Sequence, residues 1–141
     1  MPIDLRGERP MIDTLAAWHD IVSRRNTAGI EPLLSEDVVL FSPVVHTPQV
    51  GKRRTLPYLQ AAYYVFLNDS FRYVRELRDS GGAVLEFTLE IDGIAINGVD
   101  MIKWNDEGLI TEFKVMLRPL KAVNLIHQKM GEMLAAASKT E

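Results

Sequence analysis

The chain holds 141 residues, with 16 Lys+Arg against 19 Asp+Glu, a formal net charge of −3 and no cysteine. A domain of that length buries about two thirds of its unfolded surface and needs no staples, and 47% apolar content argues against disorder. Without cysteine there are no disulfide frameworks, thiolate nucleophiles or Cys-based metal sites, and the acidic balance leaves no basic footprint for nucleic acid. No apolar run approaches the roughly 20 residues of a membrane span, and residues 1–10 mix charges where a signal peptide needs an apolar stretch. The expectation is one domain over residues 1–141, cytoplasmic and not bound to a membrane.

Residues 1–10 read as an arm. From 11 to 25 apolar residues recur at Met11, Leu15, Trp18 and Val22, with Ile12 and Ile21 widening the stripe, which is helical spacing. Residues 30–34 read as a second helical piece, and 37–41 as a strand ended by Ser42-Pro43. The loop through His46, Pro48 and Gly51 opens a second long helix. Pro57 takes a first-turn position in it, and Leu59, Ala62, Tyr63 and Phe66 form its apolar face. From Phe71 the period changes to two, with strands expected over 71–79, 82–92, 94–104 and 108–118. Asp92-Gly93 is a strong hairpin signal, because both turn positions tolerate φ > 0. The strands therefore form an antiparallel meander. Pro119 stops the last one, and 120–137 returns to helical composition. Helices followed by a run of antiparallel strands predict an α+β fold: a curved antiparallel sheet packed against N-terminal helices, with an additional C-terminal helix.

The expected strand 94–104 carries the most informative residue. One face reads Ile94, Ile96, Gly98, Asp100, Ile102, Trp104; the other reads Ala95, Asn97, Val99, Met101, Lys103. Alternation places Asp100 on an apolar face turned toward the helices. Desolvation there raises a carboxyl pKa unless a partner compensates, and such a group can act as a general acid or donate a hydrogen bond while neutral. Gly98 leaves room beside it for a bulge or a close ligand approach. The structural alternative is a buried Asp paired with Arg118, Lys114 or a Tyr hydroxyl.

The order of elements, with Leu40-Phe41-Ser42-Pro43-Val44-Val45 leading to Pro48 and Gly51, and the hairpin from Val99 to Phe113, resembles the nuclear transport factor 2-like superfamily. Its SnoaL-like and ketosteroid isomerase-like branch is the nearest match in pattern. The resemblance covers roughly residues 11–119 and implies a cone with an apolar pocket between sheet and helices, and homodimerisation. Carried over residue by residue, it puts Ser42 where ketosteroid isomerases keep a general-base Asp, Trp18 where they keep an oxyanion-hole Tyr, and Asp100 on their protonated Asp. A hydroxyl at Ser42 cannot serve as that base, which argues against steroid isomerisation by the standard mechanism.

Other polar groups have two readings each. His19 is a base reaching into the pocket or a boundary His satisfied by backbone or water. His46 lies in the loop and His127 on the last helix, and neither is at metal-ligand spacing with carboxylates, so no metal site is expected. Tyr63 is a core ring whose hydroxyl either reaches the cavity or is satisfied within the core. Lys52-Arg53-Arg54 is a solvated corner or a weak anion contact. Met130, Met133 and Leu134 stripe a last helix that covers the cone's mouth, meets a second subunit or completes the core. Together these readings assign Asp100 and His19 as catalytic candidates and Trp18, Ser42, Tyr63, Ile102 and Trp104 as pocket residues. The expected function is binding of a small apolar organic ligand in a homodimer. Any chemistry would be cofactor-free acid–base catalysis of isomerase, cyclase or hydratase type on a carbonyl-containing or polycyclic substrate. The other reading is a non-catalytic ligand-binding or protein-interaction module.

Overall fold

The computed structural model describes residues 13–139; the expected arm, Met11 and Ile12 lie outside them. The first helix, α1 (Thr14–Ser23), starts where the Asp13 side chain accepts from the Ala16 backbone N–H at 3.1 Å, an N-cap that satisfies one orphan donor of the first turn. It buries Thr14, Leu15, Trp18 and Ile21. The chain leaves it through Arg25 in the left-handed region (φ 52°). A 3₁₀ helix over Thr27–Leu33 then delivers Ile30 and Leu33 to the core.

Strand β1 (Leu34–Phe41) begins earlier than its β-rich centre suggested, and the short β2 (Gln49–Val50) pairs with it antiparallel. Helix α2 (Lys52–Phe66) starts after Gly51, whose φ of 93° is open to glycine at little cost. That start places Pro57 inside the helix and not in its first turn, so the Arg53 carbonyl has no i+4 amide to accept from. Strands β3 (Arg72–Arg78), β4 (Gly82–Ile91), β5 (Ile94–Trp104) and β6 (Ile110–Arg118) form the expected meander.

The sheet is curved and unclosed, in the order β2-β1-β6-β5-β4-β3. It is mixed and not wholly antiparallel, because β1 runs parallel to β6 with Leu40 opposite Phe113. That pairing closes over most of the chain and leaves no local signature in β1 itself. Helix α3 (Leu120–Lys139) packs on α2 and on the end of the meander through Ala122 and Ile126. The fold is α+β, with helices covering one face of the sheet.

Between the layers lies an aromatic core. Trp18 of α1 meets Tyr63 of α2 and Phe113 of β6, each at 5.0 Å between ring centres. Phe66 meets Phe87 of β4 at 5.5 Å. Offset and edge-on contacts of this kind add to the apolar area that the rings bury. Helix α1 is also tied to the β5–β6 hairpin, because the buried Thr14 hydroxyl donates to the Gly108 carbonyl at 2.6 Å. Thr14→Val keeps the shape but orphans that carbonyl, and should lower stability by about 1–2 kcal/mol, read as a lower urea midpoint at unchanged m.

Candidate functional site

Asp100 sits at the centre of β5, opposite Leu85 of β4 and Val115 of β6, and is fully buried. Its partners are tyrosines and not cations. Tyr63 from α2 and Tyr73 from β3 both donate their hydroxyls to Oδ2, at 2.5 and 2.6 Å. Oδ1 is buried with no hydrogen-bond partner. Trp18 from α1 donates its Nε1–H to the Tyr73 hydroxyl oxygen at 3.0 Å. One helix and one strand, α2 and β3, thus converge on one carboxyl group, with α1 behind them through Trp18.

Burial dominates the electrostatics. Loss of solvation pushes the Asp100 carboxyl up to about 7, against the two tyrosine hydrogen bonds, which favour the charged form. The same burial, with the neighbouring carboxyl, holds the Tyr63 and Tyr73 hydroxyls well above their ordinary range, so both remain donors. A carboxyl group held there can be neutral near pH 7. Because Oδ2 already receives two donors, the proton of the neutral form resides on Oδ1.

An apolar slot lies one side-chain layer away, with room for about two water molecules (about 30 Å³). Val115, the register partner of Asp100, forms part of its wall. So do Leu59 and Phe66, which flank Tyr63 on α2. Ser42 and Tyr58 bring its only hydroxyls among the described residues, and Ile126 and Met130 of α3 complete it. The last helix therefore forms one wall of the slot.

The sequence-level candidates separate into groups. Trp18, Tyr63 and Asp100 come together, with Ile102 buried farther along the same face of β5. Ser42 lines the slot, where its hydroxyl accepts from the Val44 N–H at 3.2 Å. His19 is placed outside this cluster: its Nε2 lies 2.7 Å from Glu76 Oε1 and its ring meets the edge of Tyr73 at 5.5 Å. Trp104 donates to the Ser80 carbonyl at 2.9 Å, at the far end of β5. Arg118 reaches Asn97, and Lys114 lies over the Phe41 ring, so neither pairs with Asp100. His46 and His127 are exposed. Tyr73 escaped the sequence reading, although Phe71 and Tyr73 follow the period-two rule that located Asp100.

Gly98 leaves no room for a ligand. The β4–β5 register runs through it without a bulge, and the ring of Phe87 takes the space that its missing side chain leaves. The close approach is the protein's own.

The sequence pattern of the SnoaL-like domain matches residues 15–113. The chain belongs to the SnoaL-like family. It is similar in structure to a steroid delta-isomerase from Pseudomonas aeruginosa, at 34% identity over 92% of this chain and 98% of that one, with a TM-score of 0.84. It is also similar to an uncharacterized protein with a cystatin-like fold from Silicibacter pomeroyi DSS-3, at 28% identity over 90% and 89% of the two chains, with a TM-score of 0.82. A protein of ketosteroid isomerase-like fold from Catenulispora acidiphila DSM 44928, solved with trimethylamine, shares the fold at 14% identity over 81% and 91%, with a TM-score of 0.58. No curated protein sequence matches.

This SnoaL-like chain therefore combines a carboxyl group that can be neutral near pH 7 with a slot walled by apolar side chains. What the arrangement can do chemically is donate one hydrogen bond from Oδ1, backed by two phenols, in a site of low dielectric. The slot's polar lining consists of hydroxyl groups, with no carboxylate or imidazole among the described residues. No helix among the described residues is long and apolar enough to cross a membrane.

Proposed function

We propose that this SnoaL-like protein binds a small apolar organic molecule carrying a carbonyl group, with its apolar body in the slot and its oxygen accepting from neutral Asp100. The observation that supports this reading is the asymmetry of the carboxyl group. Two tyrosines saturate Oδ2, and the remaining oxygen is buried with nothing to bond. A carbonyl oxygen there would satisfy the donor and gain electrophilic polarisation, the first requirement of cofactor-free isomerase, cyclase or hydratase chemistry on a carbonyl-containing or polycyclic substrate. The 34% identical neighbour described as a steroid delta-isomerase supports the same ligand class. Asp100 stands behind the slot's wall, so binding requires Val115, Leu59 and Phe66 to part as well as Ile126 and Met130 to yield, and the unbranched thioether of Met130 adapts readily.

The slot's lining favours a second reading, ligand binding without turnover. Proton abstraction needs a base beside the reacting carbon, and Ser42 offers a hydroxyl where a carboxylate would serve. Homodimerisation is part of the proposal. The sheet face away from the helices exposes Leu77 and Met116, a surface on which a second copy can seat.

The test compares binding of a cyclic ketone with that of its hydrocarbon analogue by calorimetry. At pH 5.5 the ketone should bind about tenfold tighter, the worth of one buried hydrogen bond. The preference should vanish at pH 8.5, where Asp100 is ionised, and in Asp100→Leu at either pH. Equal affinity for ketone and hydrocarbon at pH 5.5 would remove the reading. Turnover of a bound ketone, followed by proton NMR, then separates enzyme from binding module.

A further inference from the structure

Trp18 occupies a place where a direct contact with the ligand is the simplest expectation, yet its only polar atom is already engaged. An indole N–H can donate and cannot accept. It donates to Tyr73, so the Tyr73 oxygen must direct its own proton elsewhere, and Asp100 Oδ2 is 2.6 Å away. The chain of bonds runs from α1 through β3 to β5, and its first link has one polarity only.

We infer that Trp18 and Tyr73 are positioning residues for Asp100: the indole N–H turns the Tyr73 hydroxyl onto Oδ2, which keeps the acid proton on Oδ1, the oxygen left for a ligand. Donation into the Tyr73 oxygen polarises its O–H bond, so Tyr73 is a stronger donor with Trp18 in place than without it. Tyr63 donates to the same oxygen with its hydroxyl beside that of Tyr73, and no bond from Trp18 reaches the Tyr63 hydroxyl. Among the described residues, the titratable groups that act on Asp100 are these two tyrosines; β4 and β6 present Leu85 and Val115. His19 and Glu76 lie beyond the Tyr73 ring and bond each other.

Resting on the reading of Asp100 as the ligand-facing acid, the arrangement nevertheless acts in the free protein, and it is tested there. The Asp100 Cγ resonance of ¹³C-labelled protein, identified by its loss in Asp100→Asn, is titrated with pH. Tyr73→Phe should raise the midpoint, because one donor to the carboxylate is gone. Trp18→Phe should raise it by less. The Trp18→Phe shift should disappear in a Tyr73→Phe background and persist in a Tyr63→Phe background. A Trp18→Phe shift of equal size with and without the Tyr73 hydroxyl would overturn the inference, since the indole would then act by packing alone. So would an unmoved midpoint in Tyr73→Phe. If Trp18→Phe fails to fold, the Trp18 indole proton in Tyr73→Phe decides: an upfield move is expected, and an unchanged resonance overturns the assignment. A cycle that behaves as expected in a protein without ketone preference keeps the positioning roles and removes the ligand reading.

Discussion

Asp100→Asn should make the protein more heat-resistant at alkaline pH and flatten the pH dependence of its stability. In the folded chain burial pushes Asp100 up to about 7, whereas in the unfolded chain it titrates near its ordinary value of about 4. Between those two values the folded state holds a proton that the unfolded state has released. Stability from this group is therefore full below pH about 4, falls as pH rises, and is lost above about 7. The difference between the folded and unfolded values corresponds to about 4 kcal/mol, and full burial leaves little solvent screening to discount. Asn keeps an oxygen for the Tyr63 and Tyr73 hydroxyls but cannot ionise. Its amide nitrogen takes the place of the unpartnered Oδ1, at a cost that does not change with pH. Melting curves of both proteins at pH 4.5 and 8.5 should therefore show the gap between them moving in favour of Asn by about 10 °C. Parallel pH profiles would mean that Asp100 has a compensating partner and is not a neutral acid near pH 7.

That expectation depends on a residue whose burial was legible from alternation alone. Ile96, Asp100 and Ile102 share a face because strand side chains alternate, and Asp92-Gly93 fixed the hairpin that sets their register. Helical spacing placed Tyr63 between Leu59 and Phe66 in the same way. The parallel seat of β1 on β6 was not legible, since it depends on contacts between segments far apart in the chain. Nor was Pro57 inside α2, where tertiary packing of Leu59 and Tyr63 on the sheet outweighs a local helix-breaking preference.

The carboxyl's partners were hidden for a different reason. Tyr73 lies in a strand whose neighbours are Arg72, Arg75 and Arg78, and a register shift between Tyr73 and Arg75 ends the alternation that it shares with Phe71 after two residues. Composition there reads as a solvated edge. What turns the ring inward is its place opposite Phe87 and its contact with Phe71 at 5.1 Å. Trp18 shows the converse case: its burial was evident, but its role depends on which atom its N–H meets, and helical periodicity carries no information about that.

Gly98→Ala should be the most damaging small substitution in the sheet and should also disturb the site. A Cβ at this position would stand 2.6 Å from the Met116 carbonyl oxygen, 2.6 Å from the edge of the Phe87 ring and 2.8 Å from a Leu117 methyl. The carbonyl belongs to the β5–β6 ladder and can move only by breaking strand pairing. Phe87 is fully buried between Phe66 at 5.5 Å and Phe71 at 5.2 Å, so it cannot swing away. Overpacking of this kind costs about 1–3 kcal/mol, a fall of about 3–9 °C in melting temperature. Adding Phe87→Leu relieves one clash and leaves the backbone one, so the double variant should stay well below the wild type. Phe87 also touches Tyr73, with ring centres 6.3 Å apart. A displaced Phe87 tilts Tyr73 away from Oδ2, and the Asp100 midpoint in Gly98→Ala should rise as it does in Tyr73→Phe. If the variant melts within a degree of the wild type with the midpoint unmoved, the tight seat of Phe87 on Gly98 is not what holds the tyrosine on its carboxyl.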